Sequence, residues 1–349
     1  MREDDVDGNR VHRPVLLQDC LDLVTPALSR NGAVVVDCTL GLAGHATAFL
    51  QACPRARLIG IDRDQEALDL ATGRMDRLGL SDRFIPVHAP FDRLGEVLDQ
   101  EGVEEADVVF MDLGLSSLQI DEVDRGFSYS HESPLDMRMD TGQELTAADI
   151  LASYSQEDLT RIFRDYGEER FASRIARAVI ETRDRQPIRT SSQLVSLVES
   201  CVPRSHRAPG NPAKRVFQAL RIEVNGELDR LARTLPQAAL KLRVGGRLVV
   251  ESYHSLEDRT VKRFMAEGLV AHLPHGLPTV PVEAAPFFRD LTHGALKADR
   301  AEEETNPRSA SVRLRAVELT REIPGTRRRS LAGRARGDRY GHRRLRERS

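Results

Sequence analysis

Val34-Val35-Val36-Asp37-Cys38-Thr39-Leu40-Gly41-Leu42-Ala43-Gly44-His45 is the stretch that decides the fold. Three β-branched residues run up to a carboxylate and a glycine-containing turn follows. Ala46-Thr47-Ala48-Phe49-Leu50 then continues as helix, so the stretch reads strand, tight loop, helix. That is the opening unit of a doubly wound α/β domain, in which ligands sit beyond the carboxyl ends of the strands.

The same unit recurs downstream. Residues 57–62, 83–88 and 106–112 read as further strands, with amphipathic helices over 65–77 and 94–100 between them. The strand ends Asp37, Asp62, His88 and Asp112 are 25, 26 and 24 residues apart, the length of a βα repeat in a parallel sheet. One rim therefore carries three carboxylates and a histidine. A fifth strand, 246–252, follows a gap too long for one crossover helix. The pattern inside that gap is helical: 147–154, 156–166 capped by Ser155 with Asp158 three residues on, 168–184 and 192–201. Helices over 216–235 and 238–242 return the chain to the sheet, and 311–319 alternates like an edge strand. The expected organisation is a core begun by 1–130, an all-helical insert at 131–212 lying over the strand ends, the second part of the core at 213–320, and a basic disordered tail at 321–349.

Composition narrows the class. With 40% hydrophobic residues and no apolar run near 18, the 349-residue chain is expected to be globular with no membrane span. The start, Met1-Arg2-Glu3-Asp4-Asp5, resembles neither a secretory signal nor a transit peptide, which gives a cytoplasmic address by default. The four cysteines form no Cys-x-x-Cys pair, against a zinc site or a disulfide framework. The net charge of -3 hides an asymmetry: residues 325–349 carry ten Arg against Asp338 and Glu347, a net of +8, leaving -11 elsewhere. Such an arm suits nucleic acid.

The loop lacks the G-x-G-x-x-G of a dinucleotide site. It offers instead one carboxylate before the loop, a second at the end of the next strand and a third at the end of strand four. That set suits a cationic ligand with a ribose better than a pyrophosphate. Asp62, read as a surface carboxylate with little packing, would accept both ribose hydroxyls, and a backbone amide near Gly44 could approach closely. Phe91, just beyond strand three, is placed to stack on an adenine. S-adenosylmethionine has this chemistry.

Several longer stretches carry a resemblance: His12-Arg13-Pro14-Val15-Leu16-Leu17, Asp112-Leu113-Gly114-Leu115-Ser116-Ser117, Arg125-Gly126-Phe127-Ser128, Pro134-Leu135-Asp136-Met137-Arg138-Met139-Asp140, Tyr166-Gly167-Glu168-Glu169-Arg170-Phe171 and Ser252-Tyr253-His254-Ser255-Leu256-Glu257-Asp258-Arg259. In these, from His12 to about Leu319, the chain resembles the 16S ribosomal RNA cytosine N4-methyltransferases known as RsmH or MraW. The resemblance implies a Rossmann-like methyltransferase sheet with S-adenosylmethionine as cofactor. It also implies 16S rRNA, within the small ribosomal subunit, as partner, and N4 of a decoding-region cytidine (cytosine-1402 in ribosomal numbering) as the target. Cofactor contacts then fall on Ala43, Gly44, His45, Asp62, Phe91, Asp112 and Gln119, with Asp112 also the catalytic candidate. The family usually has Gly where Ala43 stands and Pro where Leu118 stands. A methyl group at Ala43 requires negative φ, and Leu118 loosens the turn carrying Gln119.

The chemistry needs no metal and no covalent intermediate, only an amine held in line with the methyl group and an acceptor for its hydrogens. Methylation at ring carbon five would call for an attacking cysteine in a Pro-Cys loop, and none is present. Asp112-Leu113-Gly114-Leu115 is not the Asp-Pro-Pro-Tyr of general amino-methyltransferases, so an aromatic clamp must come from Phe127, Tyr129 or Tyr253, if one exists. Asp136, His254 and Glu257 are candidates for base contact. Arg170, Arg174 and Arg177, with Arg183, Arg185 and Arg189, are candidates for phosphate contact. The rivals are a nicotinamide dehydrogenase, disfavoured by the loop, and a non-catalytic RNA-binding module on a degenerate fold. A homodimer is left open.

Overall fold

The computed structural model describes residues 14–337 apart from 117, 120–121, 204, 206–210 and 272–283. His12, Arg13, Ser117 and the tail beyond Gly337 lie outside the described residues. Seven strands form one sheet in the order β3-β2-β1-β4-β5-β7-β6. They are β1 (Val34–Asp37), β2 (Arg57–Asp62), β3 (Phe84–His88), β4 (Ala106–Asp112), β5 (Leu242–Ser252), β6 (Phe288–Asp290) and β7 (Arg313–Leu319). β1 to β5 run parallel, while β7 lies antiparallel to both β5 and β6. The order reverses between β1 and β4, so their carboxyl ends open a crevice between them.

Helices α1 (Leu17–Val24), α2 (Gly44–Ala52) and α3 (Gln65–Arg77) cover one face, and α4 (Leu94–Gln100) covers the other. Both faces of the central strands are apolar because both are buried, which is why Val34-Val35-Val36 reads as an unbroken run rather than an alternation. A separate apolar cluster extends from Leu135 to Val224. Its helices are α5 (Ala147–Ser153), α6 (Gln156–Asp165), α7 (Ala172–Arg183), α8 (Ser191–Cys201) and α9 (Lys214–Asn225). Thr146 and Thr190 start α5 and α8 with reciprocal capping boxes, and Ser155 caps α6 through the Asp158 amide as its sequence indicates. The helical unit is thus longer than 131–212, because α9 packs with it.

Three expectations are corrected. The helix read over 216–235 is two helices, α9 and α10 (Glu227–Lys241), broken by Gly226 at φ +58. α10 continues through the segment read as a separate helix, and β5 starts at Leu242 rather than 246. The segment read as a disordered tail is helical over Gly325–Ala335. α11 (Ser255–Leu269) and α12 (Arg300–Thr305) precede this last helix, α13. Leu331 buries itself against the core face that holds Leu231 and Leu235. Arg334 pairs with Glu267 at 2.7 Å while its guanidinium lies 5.5 Å above the Phe264 ring. The low apolar content that suggested disorder is outweighed by one buried leucine and one arginine with two partners.

Candidate active site

A cavity of about 310 Å³ sits at the crevice between β1 and β4. β1 contributes Asp37, β2 contributes Asp62, and β4 contributes Asp112 and the loop that follows it. Glu227, Arg230 and Leu231 from α10, and Met139 from the segment leading into the helical unit, close the far side.

The first loop is shaped by Asp62. Its Oδ2 accepts the Gly41 amide at 2.7 Å and its Oδ1 accepts the Asp64 amide at 2.9 Å. Asp62 is therefore not a lightly packed surface carboxylate: it holds the loop while it lines the cavity. Burial raises its pKa, and the two backbone donors counter that rise. Asp37 is 1% exposed and accepts the Thr39 amide at 3.0 Å. Burial pushes its carboxyl up to about 7, the Thr39 amide pulls against this, and Asp112 and Asp62 add to the rise.

Ala43 adopts φ +58, contrary to the negative value its methyl group calls for. The turn is enforced from both sides, since the Ala43 amide donates to Leu40 O at 2.8 Å and its carbonyl accepts the Thr47 hydroxyl at 2.6 Å. Ala43 is fully buried in the core and is not among the residues that line the cavity. Gly44 lines the cavity, and a Cβ there would stand 2.7 Å from Pro14 Cγ. Its missing side chain makes room for Pro14, itself part of the lining.

His45, Asp62, Phe91, Asp112 and Gln119 also line the cavity. Gln119 is 5% exposed; its Oε1 accepts the Ser116 amide and its Nε2 donates to Asp64 Oδ2, both at 3.2 Å. Arg125 reaches the same Asp64 oxygen at 2.9 Å and donates to Met139 O at 2.9 Å. This network fixes the Gln119 turn without the usual proline. Asp112 accepts the Tyr253 hydroxyl at Oδ1, 2.7 Å away, and its Oδ2 lies 3.6 Å from His45 Nδ1.

The remaining candidates divide by their contacts. Phe127 and Tyr129 pack on the helical cluster, Tyr129 edge-on to Phe217 with ring centroids 6.0 Å apart. Tyr253 holds Asp112 but does not line the cavity, so Phe91 is the aromatic ring of the lining. Asp136 is engaged by Arg138 at 2.7 and 2.8 Å, away from the cavity. His254 caps α11 in a reciprocal box with Glu257. Glu257 lines the cavity and accepts the Tyr253 amide at 2.9 Å. Burial opposes its ionisation, but His254 and Arg221 outweigh burial and hold its carboxyl below the ordinary range.

Arg170, Arg174, Arg177, Arg185 and Arg189 are exposed, whereas Arg183 turns inward to Leu151 O and Tyr154 O at 3.0 and 2.7 Å. Sequence reasoning missed Arg63, Arg74, Glu227 and Arg230 in the lining. The signal for Glu227 was the preceding Gly226, which breaks the helix at the cavity wall. Arg63 donates to Asn225 Oδ1 at 2.5 Å, and Asn225 Nδ2 donates to Met137 O at 2.7 Å, which ties the helical unit to the rim.

Two groups of ligand-type atoms, Cys20/His45/Glu251 and Glu227/His254/Glu257, gather within 4.8 Å among the described residues. Each is a hydrogen-bonded or ion-paired cluster: His45 Nε2 is 3.0 Å from Val15 O, and Glu227 is held by Arg221 at 2.8 Å.

An open sheet with an antiparallel β7 and an acidic cavity at its switch point defines a Rossmann-like methyltransferase. The model of the MraW methylase family matches residues 9–320, and the chain belongs to that family. The ribosomal RNA small subunit methyltransferase H of Bifidobacterium longum (strain NCC 2705) is 65% identical over 332 residues, 95% of this chain and 92% of that protein. The protein of the same description from Bifidobacterium adolescentis is 66% identical over 318 residues, covering 91% and 93%. That from Beutenbergia cavernae is 52% identical over 325 residues, covering 93% and 97%. No helix among the described residues is long and apolar enough to cross a membrane.

Proposed function

We propose that the protein methylates N4 of a cytidine in the decoding region of 16S ribosomal RNA, cytosine-1402 in ribosomal numbering, using S-adenosylmethionine. The observation that carries the reading is the convergence of Asp37, Asp62 and Asp112 on one cavity at the switch point, with Phe91 in the same wall. A cavity of about 310 Å³ is large enough for a nucleoside ligand, and a cation in it relieves the mutual repulsion of three carboxyls that face it. When bound, the cofactor supplies a methyl group on a positively charged sulfur. Asp62 faces the cavity while holding the Gly41 amide, so it positions a ribose and the loop together. Asp112, oriented by Tyr253, is the acceptor for the amine's proton. Glu257 and the α10 side chains enclose the opposite end, where a base would enter.

The exposed arginines of α7 and the basic residues after Gly325 suit an RNA backbone, and binding through them would weaken steeply with salt. The degenerate RNA-binding reading is less favoured, because Ala43 is accommodated in a left-handed turn that Leu40 and Thr47 hold. Mass spectrometry of small-subunit RNA from cells with and without the gene tests the proposal. Loss of the N4 methyl group at that cytidine is the expected result, and an unchanged methylation pattern would overturn it.

A further inference from the structure

His45 is in the cavity wall, yet its ring is buried in the core. The imidazole is 5% exposed and packs against Phe110 and Phe49, with ring centroids 4.8 and 6.0 Å away. Its Nε2 lies 3.0 Å from the Val15 carbonyl oxygen, which can only accept, so the Nε2 position carries the hydrogen. In the neutral ring Nδ1 is then a bare lone pair, and it faces Asp112 Oδ2 at 3.6 Å. Two acceptors confront one another with no proton between them.

We infer that His45 is a positioning residue for the chemical step, its Nδ1 taking up, by way of Asp112 Oδ2, the proton that the substrate amine gives up. The inference rests on methyl transfer to an amine as proposed above. In that step the sulfur–methyl bond breaks with its electron pair going to sulfur, and a nitrogen–methyl bond forms. The nitrogen loses one hydrogen to Asp112, which passes it to Nδ1. Positive charge leaves the sulfonium and reappears on the imidazolium, so the cavity carries the same net charge before and after. Asp112 is 29% exposed, and that exposure is to the cavity, which cofactor and base would fill. Water is then excluded from its open side, and His45 is the acceptor at its back.

The surroundings fit a ring that is neutral at rest. Burial lowers the His45 pKa, with Asp112 opposing that shift. The other titratable groups facing it are Glu251 on β5, whose Oε2 is 3.6 Å from Nε2, Cys20 on α1, and Glu302 on α12, which accepts the Leu16 amide at 2.8 Å. Burial drives both Glu251 and Cys20 well above their ordinary ranges, with Asp112 adding to each rise.

His45→Gln separates this role from packing, since the glutamine amide can still donate to Val15 O but has no atom basic enough to take a proton from Asp112. At saturating cofactor, single-turnover methyl transfer to undermethylated small subunits is expected to fall about 10²-fold. Cofactor affinity by calorimetry should stay within about twofold, and the acid limb of the pH–rate profile should change shape. A variant within a few fold of the parent at every pH overturns the inference. If the variant fails to fold, nitrogen NMR of labelled histidine in the parent protein decides. A ring protonated at Nε2 alone at neutral pH is expected, and a hydrogen resident on Nδ1 at rest would overturn it. A parent protein that transfers no methyl group to small-subunit RNA would instead overturn the function proposed above, whatever the histidine spectra show.

Discussion

The Tyr253 hydroxyl donates to Asp112 Oδ1 at 2.7 Å, joining the residue just past β5 to the last residue of β4. It turns the carboxylate so that Oδ2 faces His45 and the cavity. Tyr253→Phe keeps the ring and removes one hydrogen bond to a charged group, about 1.5–3 kcal/mol. Single-turnover methylation is expected to slow roughly tenfold, equivalent to about 1.4 kcal/mol, with cofactor affinity unchanged because Tyr253 does not line the cavity. A rate equal to the parent's would show that other contacts orient Asp112.

Asp37 makes the stability of the cofactor-free protein depend on pH. Its carboxyl is held up to about 7 by burial, against about 3.9 in an unfolded chain. The folded protein therefore keeps a proton that the unfolded chain has lost. This stabilisation is fully present below about pH 4 and is lost as the pH rises through about 7, on the order of 4 kcal/mol across the window. Asp37→Asn should match the parent near pH 4 and exceed its melting temperature at pH 8.5. Parallel melting curves for the two proteins at all pH values would contradict this.

Asp62→Ala removes the acceptor of the Gly41 and Asp64 amides together. Calorimetry should show cofactor binding abolished or weakened at least tenfold. Unlike the removal of a solvated carboxylate, the change should also lower the melting temperature, since two backbone donors lose their partners. Unaltered affinity would remove Asp62 from the site.

Ala43 tests how the loop tolerates its methyl group. The left-handed conformation costs about 1–2 kcal/mol, which Ala43→Gly relieves. The same change removes a buried methyl worth about 0.8 kcal/mol and loosens the unfolded chain by about 0.5–1 kcal/mol. The variant should therefore unfold within about 1 kcal/mol of the parent, whereas Ala43→Val, β-branched in a left-handed turn, should lose well over 2 kcal/mol. Denaturant titration separates the two.

Truncation after Pro324 removes α13 and uncovers Phe264 and the apolar face around Leu331, so the melting temperature should fall by several degrees. Truncation after Gly337 should leave it unchanged while reducing the salt dependence of RNA binding, through loss of Arg339, Arg343, Arg344, Arg346 and Arg348. Equal salt slopes for this truncation and the parent would show that the terminal arginines do not touch RNA.

The parallel half of the sheet was legible because each strand is short, apolar on both faces and ends in a polar residue at a regular interval. Asp37, Asp62 and Asp112 came from that spacing alone. β6 was not legible: three residues, Phe288–Asp290, carry no period, and their place at the edge depends on pairing with β7. The break at Gly226 was hidden because apolar periodicity continues across it into α10. The site was legible at the strand ends and illegible where distant segments supply the wall. Nothing local in Arg230 announces a cavity, and the pairing of Arg63 with Asn225 spans far too much chain to be read from either residue. The φ of Ala43 was misjudged because a local steric rule was applied to a turn that Leu40 and Thr47 hold in place.

β4 and β5 are neighbours in the sheet, yet the whole helical unit is threaded between them. On a ribosome adding about 5–20 residues per second, β4 emerges roughly 6–26 s before its partner. Through that interval its β5-facing edge presents open amides and carbonyls flanked by Val108, Val109 and Phe110, a template for any other extended chain. The helical unit has its own apolar cluster and can collapse while the sheet waits. Late in vectorial synthesis, closure of the sheet is then a long-range docking event. The vulnerable species during biogenesis is a half-sheet, and destabilising the helical unit should raise aggregation of nascent chains before it alters the finished protein.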